Sequence, residues 1–356
     1  VSKFWSNAVK RAEPYVPGEQ LNQSEIIKLN TNENPYPPSP AVIEAIKKEA
    51  EIALNLYPSP TVDALKEDIA SYYKLSKENV FIGNGSDEVL AFSFMAFFEP
   101  GKRIRFPEIS YSFYPVYAKL FNIPYDAIKL ERDFTITPED YFHSEGGVIF
   151  PNPNAPTSIF LELDAVRQIL EHNPEKIVII DEAYIDFAEA SAVQLLQDYE
   201  NLLVVQTMSK SRSLAGLRVG FALGSQELIA GLMRLKDSFN SYTIDRLAIA
   251  GARAAINDVA YFTETTKKII ATRKWFMSEL QARGFHVLPS QTNFLFISHK
   301  ERLAEDLYSQ LKGKNILIRH FNKPEIAHFL RVTIGTDAEM EQFLSTLDQL
   351  NKKTRV

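Results

Sequence analysis

The chain has 356 residues, with 39 Lys plus Arg against 45 Asp plus Glu and a formal net charge of −6, and its length leaves room for about two domains. Apolar residues at 45% and charged residues at 24% are the composition of a globular protein with a large core, not of a disordered chain. The absence of cysteine excludes disulfides, thiolate catalysis, zinc knuckles and iron–sulfur clusters, no metal is expected, and the acidic balance argues against nucleic acid as a partner.

From Val1 to Pro14 the chain mixes Lys, Arg and Asn with single apolar residues and lacks the apolar core of a signal peptide, so a cytoplasmic location is expected. Turn residues crowd the first sixty positions, at Pro14, Pro17, Gly18, Asn34-Pro35-Tyr36-Pro37-Pro38 and Tyr57-Pro58-Ser59-Pro60, and predict an irregular arm. Ser39-Pro40 reads as an N-cap followed by proline at the first helical position, with Val42, Ile43, Ile46, Ala50 and Ala53 at helical spacing. Val62, Leu65, Ile69 and Tyr72 predict a second helix. Val89 to Phe98, the most apolar helical stretch, is about half the length that crosses a bilayer. It reads as a buried helix, and no membrane partner is expected.

Between about residues 80 and 224, short apolar runs alternate with helical segments, the pattern of parallel strands buried on both faces. The candidate strands are Val80–Ile82, Ile104–Phe106, Val148–Phe150, Ile177–Ile180, Leu202–Gln206 and Val219–Leu223. Ligands of open α/β sheets bind outside the carboxyl ends of the strands. Gly83-Asn84-Gly85-Ser86-Asp87-Glu88, Asp181-Glu182-Ala183-Tyr184 and Thr207-Met208-Ser209-Lys210 all occupy such ends, so one pocket is expected to collect them. After Ser225 come helices, including a long one from about Asp258 to Arg283 that stops at Gly284. The tail turns to an α+β pattern, with short strands at Phe285–Leu288, Phe294–Ile297, Ile316–Ile318 and Phe329–Thr333 and covering helices at Glu301–Leu311 and Asp337–Leu350.

Each polar cluster has a chemical reading and an ordinary one. The Gly83–Asp87 turn at a helix start offers free N–H groups to a phosphate, and a tight turn capped by Asp87 explains the same residues. Asp181 ends a strand buried on both sides, where an unpaired carboxylate is costly. It either caps the next helix or meets a cation, and a protonated heterocyclic nitrogen is one such cation. Lys210 lies between two apolar strands with hydroxyls before it and Arg218 after it. It is either a surface lysine or, desolvated near other cations, a nucleophile for Schiff-base chemistry.

Lys210 within Ser-Lys-x-x-x-Leu-Ala-Gly-Leu-Arg-x-Gly, preceded by Asp181-Glu-Ala-Tyr184 and by Pro151-Asn-Pro-Asn-Ala-Pro-Thr157, resembles the pyridoxal-phosphate aminotransferases of fold type I. Leu29-Asn30-Thr31-Asn32-Glu33-Asn34-Pro35, Gly85-Ser86-Asp87-Glu88, Leu330-Arg331-Val332-Thr333-Ile334-Gly335-Thr336 and Tyr15-Val16-Pro17-Gly18 narrow the resemblance to the histidinol-phosphate aminotransferase family, across nearly the whole chain. The resemblance implies an α/β fold: a large domain with a mostly parallel central sheet flanked by helices, and a smaller α+β domain. The divisions expected are an arm over residues 1–28 packing with the small domain, a cofactor-binding domain over 29–257 and a small domain over 258–356.

It further implies that Lys210 forms the Schiff base with pyridoxal 5′-phosphate and shuttles the proton, that Asp181 pairs with the pyridinium nitrogen, and that Tyr184 and Asn154 bond the phenolic oxygen O3′. The phosphate would sit on the backbone of Ser86 and Asp87, completed by Thr207, Ser209 and Arg218, with Tyr111 stacked on the ring. The family implies a homodimer in which Tyr57 reaches the neighbour's cofactor phosphate. Arg331 would receive the anionic end of the substrate, with Arg319, Tyr15 and Asn34 as further substrate contacts, although an internal salt bridge also accounts for an arginine at 331.

The chain departs from the family at two places. Ala155 stands where an asparagine is common, which motivates the choice of Asn154, and Arg212-Ser213 replace an aromatic-glycine pair and place an additional cation near the expected pocket. The activity implied is transamination of L-histidinol phosphate with 2-oxoglutarate in histidine biosynthesis, the partners being a small amino donor and a 2-oxo acid. The alternatives are an aromatic or broad-range aminotransferase and a decarboxylase of phosphorylated amino acids. A regulator with an aminotransferase-like sensor domain is a distant alternative: it would need a DNA-reading module with a basic face, and only about thirty residues precede the Leu-Asn-x-Asn-Glu-Asn-Pro segment in a chain of negative net charge. A dinucleotide-binding oxidoreductase would need a third glycine after Gly83 and Gly85.

Overall fold

Seven strands form the largest sheet of the computed structural model, in which residues 2–15, 19, 26–52 and 54–353 are described. Val16, Pro17 and Gly18 of the family-like segment, and Ala53 of the first predicted helix, lie outside the described residues. The strands run in the order Val80–Asn84, Val219–Gly224, Leu202–Thr207, Val178–Asp181, Val148–Pro151, Ile104–Pro107 and Tyr125–Ile128. Their near-continuous apolar runs follow from cover on both faces. Period-2 alternation sends Val178, Ile180 and Val204 into one core, with helices Asp63–Tyr73, Leu163–Glu171 and Arg246–Asn257. It sends Ile179, Leu203 and Val205 into another, with helices Gly85–Phe97, Phe113–Phe121 and Gln226–Phe239.

Two features of the sheet differ from the sequence expectation. Val219–Gly224 is antiparallel to both of its neighbours. Tyr125–Ile128 adds an edge strand, parallel to Ile104–Pro107, that was not expected. It is half-exposed and carries Asp126, so it lacks the apolar run by which the other strands are recognised.

Helix Pro40–Ile52 starts as expected, with Ser39 Oγ accepting from Val42 N at 3.3 Å. The long helix Val259–Ala282 is capped by Asp258, and the chain leaves it through Gly284 at φ +83°. In the C-terminal part, Arg319–His320, Leu330–Thr333, Phe294–His299 and Phe285–Val287 form an antiparallel sheet in that order. The strand expected over 316–318 is two. Ile316–Leu317 pairs in parallel with Ile27–Lys28, the chain crosses at Ile318, and Arg319–His320 then joins the four-stranded sheet. Leu29 continues the pairing of Ile27–Lys28, donating to Leu317 O and accepting from Thr333 N, which ties this segment to the C-terminal core, whereas Arg11, Glu13 and Tyr15 contact helix Phe113–Phe121 of the large sheet's cover.

Candidate functional site

Asn84, Asp181 and Thr207 end their strands on one edge of the large sheet, and the reversed direction of Val219–Gly224 brings the residue before that strand, Arg218, to the same edge. Two glycines are needed here for different reasons: Gly85 sits at φ +75° with the Arg218 guanidinium where a Cβ would go, and a Cβ on Gly220 would strike the main chain at Ser86 N. Arg218 Nη2 donates to Asp87 Oδ2 at 3.1 Å, Tyr111 Oη to Asp87 Oδ1 at 2.6 Å and Tyr117 Oη to Asp87 O at 2.9 Å. Thr207 Oγ1 donates to Ser209 Oγ at 3.0 Å and accepts from Ser209 N. Ser86, Asp87, Thr207, Ser209 and Arg218 thus stand around the first turn of helix Gly85–Phe97, whose free N–H groups and dipole favour an anion.

Alternation along Val178–Asp181 puts Asp181 and Glu182 on opposite faces of the sheet. Asp181 accepts from Tyr114 Oη at 3.1 Å and Ala183 N at 3.2 Å, and among the described residues no cation pairs with it. Burial raises its carboxyl to about 7, against the two hydrogen bonds that lower it. Glu182, on the other face, is held by Ser191 Oγ, Ala192 N and Gln206 Nε2. It belongs to the scaffold.

Lys210 Nζ donates to Thr31 O at 3.1 Å and lies 6.0 Å from the Tyr184 ring centroid. Burial and the nearby Arg331 lower its amine to about 8, while Glu33 and Asp87 oppose the shift. The Asn30–Asn34 segment runs across this group. Asn30 O accepts from Arg331 Nη2 at 2.8 Å, and Asn32 Nδ2 donates to Tyr184 Oη at 2.9 Å. Asn34 Nδ2 donates to Lys210 O and Ser211 O at 3.0 and 3.1 Å. Asn34 Oδ1 accepts from Tyr36 N, so both ends of that side chain are engaged with main chain and it positions the lysine loop.

Tyr184, Arg331, Arg319, Tyr15, Tyr111 and Ala155 line one cleft of about 870 Å³. Arg319 and Arg331 are direct cross-strand partners, an arrangement that is unfavourable for two like charges unless an anion joins them. Arg331 Nε is buried without a hydrogen-bond partner, its guanidinium lies over Phe294 and Phe321, and among the described residues no carboxylate pairs with it. The internal salt bridge that was the alternative for Arg331 is not what the geometry shows.

Two expectations change. Asn154 Nδ2 already donates to Ile109 O and Thr157 Oγ1, at 2.9 and 2.8 Å, so Asn154 has no hydrogen left for a cofactor oxygen. Arg212 points away from the cleft. It is sandwiched between Phe262 and Tyr72 and donates to Ala255 O at 2.7 Å, near the C-terminal end of helix Arg246–Asn257, so it adds no cation to the pocket. Tyr57, expected at a neighbour's site, is 76% exposed and stacked on Tyr242. Sequence reasoning missed Tyr114, three residues after Tyr111 and in the first turn of helix Phe113–Phe121, and Asn32, inside a motif already singled out.

Comparison with known proteins places these residues in context. The family described as aminotransferase class I and II matches residues 24–347. Histidinol-phosphate aminotransferase 1 of Oceanobacillus iheyensis is 63% identical over 99% of both chains. The histidinol-phosphate aminotransferase of Clostridium botulinum strain Okra is 55% identical over 99% of this chain and all of its own length. Among solved structures, the Clostridium acetobutylicum histidinol-phosphate aminotransferase superposes with a TM-score of 0.85 at 26% identity, over 92% of this chain and 100% of that one. The Sinorhizobium meliloti histidinol-phosphate aminotransferase, solved in complex with pyridoxal-5′-phosphate, shares the fold with a TM-score of 0.89 at 22% identity, over 99% of each chain.

Proposed function

The chain belongs to the class I and II aminotransferases, and within them to the histidinol-phosphate aminotransferases, and from that premise we propose that it converts L-histidinol phosphate and 2-oxoglutarate to imidazole-acetol phosphate and L-glutamate in histidine biosynthesis. The observation that carries the choice of substrate is the pair Arg319 and Arg331, set opposite each other with no acid paired to either among the described residues and facing the same cleft as Tyr184. Such a pair suits a phosphate or a carboxylate, and both substrates are anions.

The residues present fit pyridoxal 5′-phosphate. Asp181 lacks a cation that a protonated ring nitrogen would provide, and the Gly85–Gly220–Arg218 cradle suits a phosphate. Thr207, Ser209 and the main chain of Ser86 and Asp87 would complete the phosphate site, with Tyr111 beside the ring. When bound, the cofactor supplies the electron-accepting ring that carries the charge left on the substrate α-carbon. Lys210 takes the proton from that carbon and returns it. An ordinary lysine at 10.5 is neutral in about one molecule in a thousand near pH 7.5, whereas an amine at about 8 is neutral in roughly a quarter.

The exposed side chains of Leu54, Leu56, Tyr57, Phe239 and Tyr242 support a homodimer in which Tyr57 of one protomer serves the site of the other. Residues 29–257 form the cofactor-binding body on this reading, and residues 258–356 the body that brings Arg319 and Arg331, with the arm strand Ile27–Lys28 attached to it. No helix among the described residues is long and apolar enough to cross a membrane, and we place the enzyme in the cytoplasm.

The test is the visible spectrum. Protein loaded with pyridoxal phosphate gains an absorption band that borohydride removes and that Lys210→Ala abolishes; a protein that stays colourless would refute the assignment. Carbon dioxide release without formation of a keto product would favour the decarboxylase.

A further inference from the structure

Asn32 is buried and sits at φ +57°, a left-handed conformation that asparagine tolerates better than most residues. Its neighbours determine which way its amide faces. Thr333 Oγ1 accepts from Asn32 N at 3.1 Å, and its single hydrogen goes to Asn32 Oδ1 at 3.0 Å. Asn32 O is held by Asn293 Nδ2 at 2.9 Å. The oxygen end of the amide is therefore tied to Thr333, and the Nδ2 end faces Tyr184 Oη at 2.9 Å.

Because Nδ2 only donates, the Tyr184 oxygen is the acceptor, and the phenol hydrogen must point elsewhere. Tyr184 lines the cleft, and among the described residues its hydroxyl has no acceptor. The Asn154 side-chain amide donates to Ile109 O and Thr157 Oγ1, its main-chain N–H donates to Ile159 O, and Ala155 has no side-chain donor.

We infer that Asn32 is a positioning residue: it turns the Tyr184 hydroxyl hydrogen into the cleft, where the Asn32–Tyr184 pair performs the donor role that residues 154 and 155 leave unfilled. This rests on the cofactor reading above, in which the acceptor is the phenolic oxygen of pyridoxal phosphate. Thr333 lies on the strand that also carries Arg331, so the same strand that meets the substrate anion holds the amide in place.

A hydrogen donated to that phenolic oxygen stabilises the negative charge it carries alone once the loaded chromophore loses its proton, so losing the donor raises the pH midpoint of the chromophore. The experiment is a spectroscopic pH titration of the loaded protein in six forms: wild type, Tyr184→Phe, and Asn32→Asp and Asn32→Ala each in both backgrounds. Asn32→Asp keeps the shape and the Thr333 contact but presents an acceptor to the phenol, which turns the hydrogen out of the cleft. The expected result is a midpoint raised by about one pH unit, a tenfold change, in each single variant. With Tyr184→Phe already present, Asn32→Asp adds only the effect of its new charge. Asn32→Ala, which adds no charge, raises the midpoint when Tyr184 is present and moves it no further in the Tyr184→Phe background. A chromophore whose midpoint stays at the wild-type value in Asn32→Asp and Asn32→Ala overturns the inference, as does an Asn32→Ala shift that persists in full in the Tyr184→Phe background. Failure of the wild-type chain to form a chromophore would instead overturn the cofactor reading, and this inference with it.

Discussion

Asp181→Asn has opposite consequences in the cofactor-free and loaded protein, and the sign follows from burial. With its carboxyl raised from 3.8 to about 7, the native state keeps a proton between about pH 4 and pH 7 that the unfolded chain has lost. Stability from this group is therefore fully present below pH 4 and declines as pH rises through that window. Above pH 7 the buried charge costs about 4 kcal/mol, taking about 1.4 kcal/mol for each pH unit between the two values. An amide in its place retains an oxygen to accept from Tyr114 or Ala183 and carries no charge. At pH 8 the cofactor-free variant should unfold at higher urea than the wild type, by about 2–4 kcal/mol, and the advantage should vanish by pH 4. Loading with pyridoxal phosphate should reverse the order at pH 8, because the wild-type carboxylate then gains a cationic partner. Urea titrations at pH 4, 6 and 8, with and without the cofactor, measure all of this. An advantage that does not change with pH, or a wild type that is more stable at pH 8 without cofactor, would refute the reasoning.

Two further outcomes follow from particular contacts. Arg246 donates to Leu56 O and Tyr57 O, both at 3.0 Å, and pairs with Glu49, so Arg246→Ala should free the Tyr57 segment and weaken pyridoxal-phosphate binding roughly tenfold. Mixing that variant with Lys210→Ala should restore one normal site per mixed dimer, since intact Tyr57 then serves the chain with the intact lysine; no restoration on mixing would show that Tyr57 does not act across the dimer. In cofactor-free protein an amine-acylating reagent limiting at pH 8 should modify Lys210 ahead of the exposed lysines, because its amine sits at about 8. Uniform labelling by peptide mapping would contradict that value.

The strands that position the site were legible because burial on both faces leaves an unbroken apolar run, as in Val178–Asp181 and Leu202–Thr207. The polar residues ending those runs could be read as ligands for the same reason, since a buried strand end leaves them little else to serve. Strand direction carries no such signature. The stretch between Thr207 and Val219 nevertheless contains only one short turn of helix, at Ala215–Leu217, too little for the crossover that parallel neighbours require. That shortage was a usable clue to the antiparallel strand.

Side-chain direction was the harder part. Arg212 lies two residues from Lys210, yet it points to Ala255 because aromatic faces and a helix C-terminus receive it there. Asn154 was chosen for its amide, and its hydrogens are held by Ile109 and Thr157, contacts that only the folded loop reveals. The donor that the fold does offer, Tyr184 held by Asn32, joins residues 152 positions apart.

The most direct measurement is the rate of L-glutamate formation from 2-oxoglutarate with L-histidinol phosphate, and with unphosphorylated L-histidinol, as the amino donor. The wild type should prefer the phosphorylated donor, and Arg331→Ala should lose that preference through a KM raised on the order of a hundredfold. Equal rates with both donors, or an Arg331→Ala variant that keeps the preference, would contradict the account.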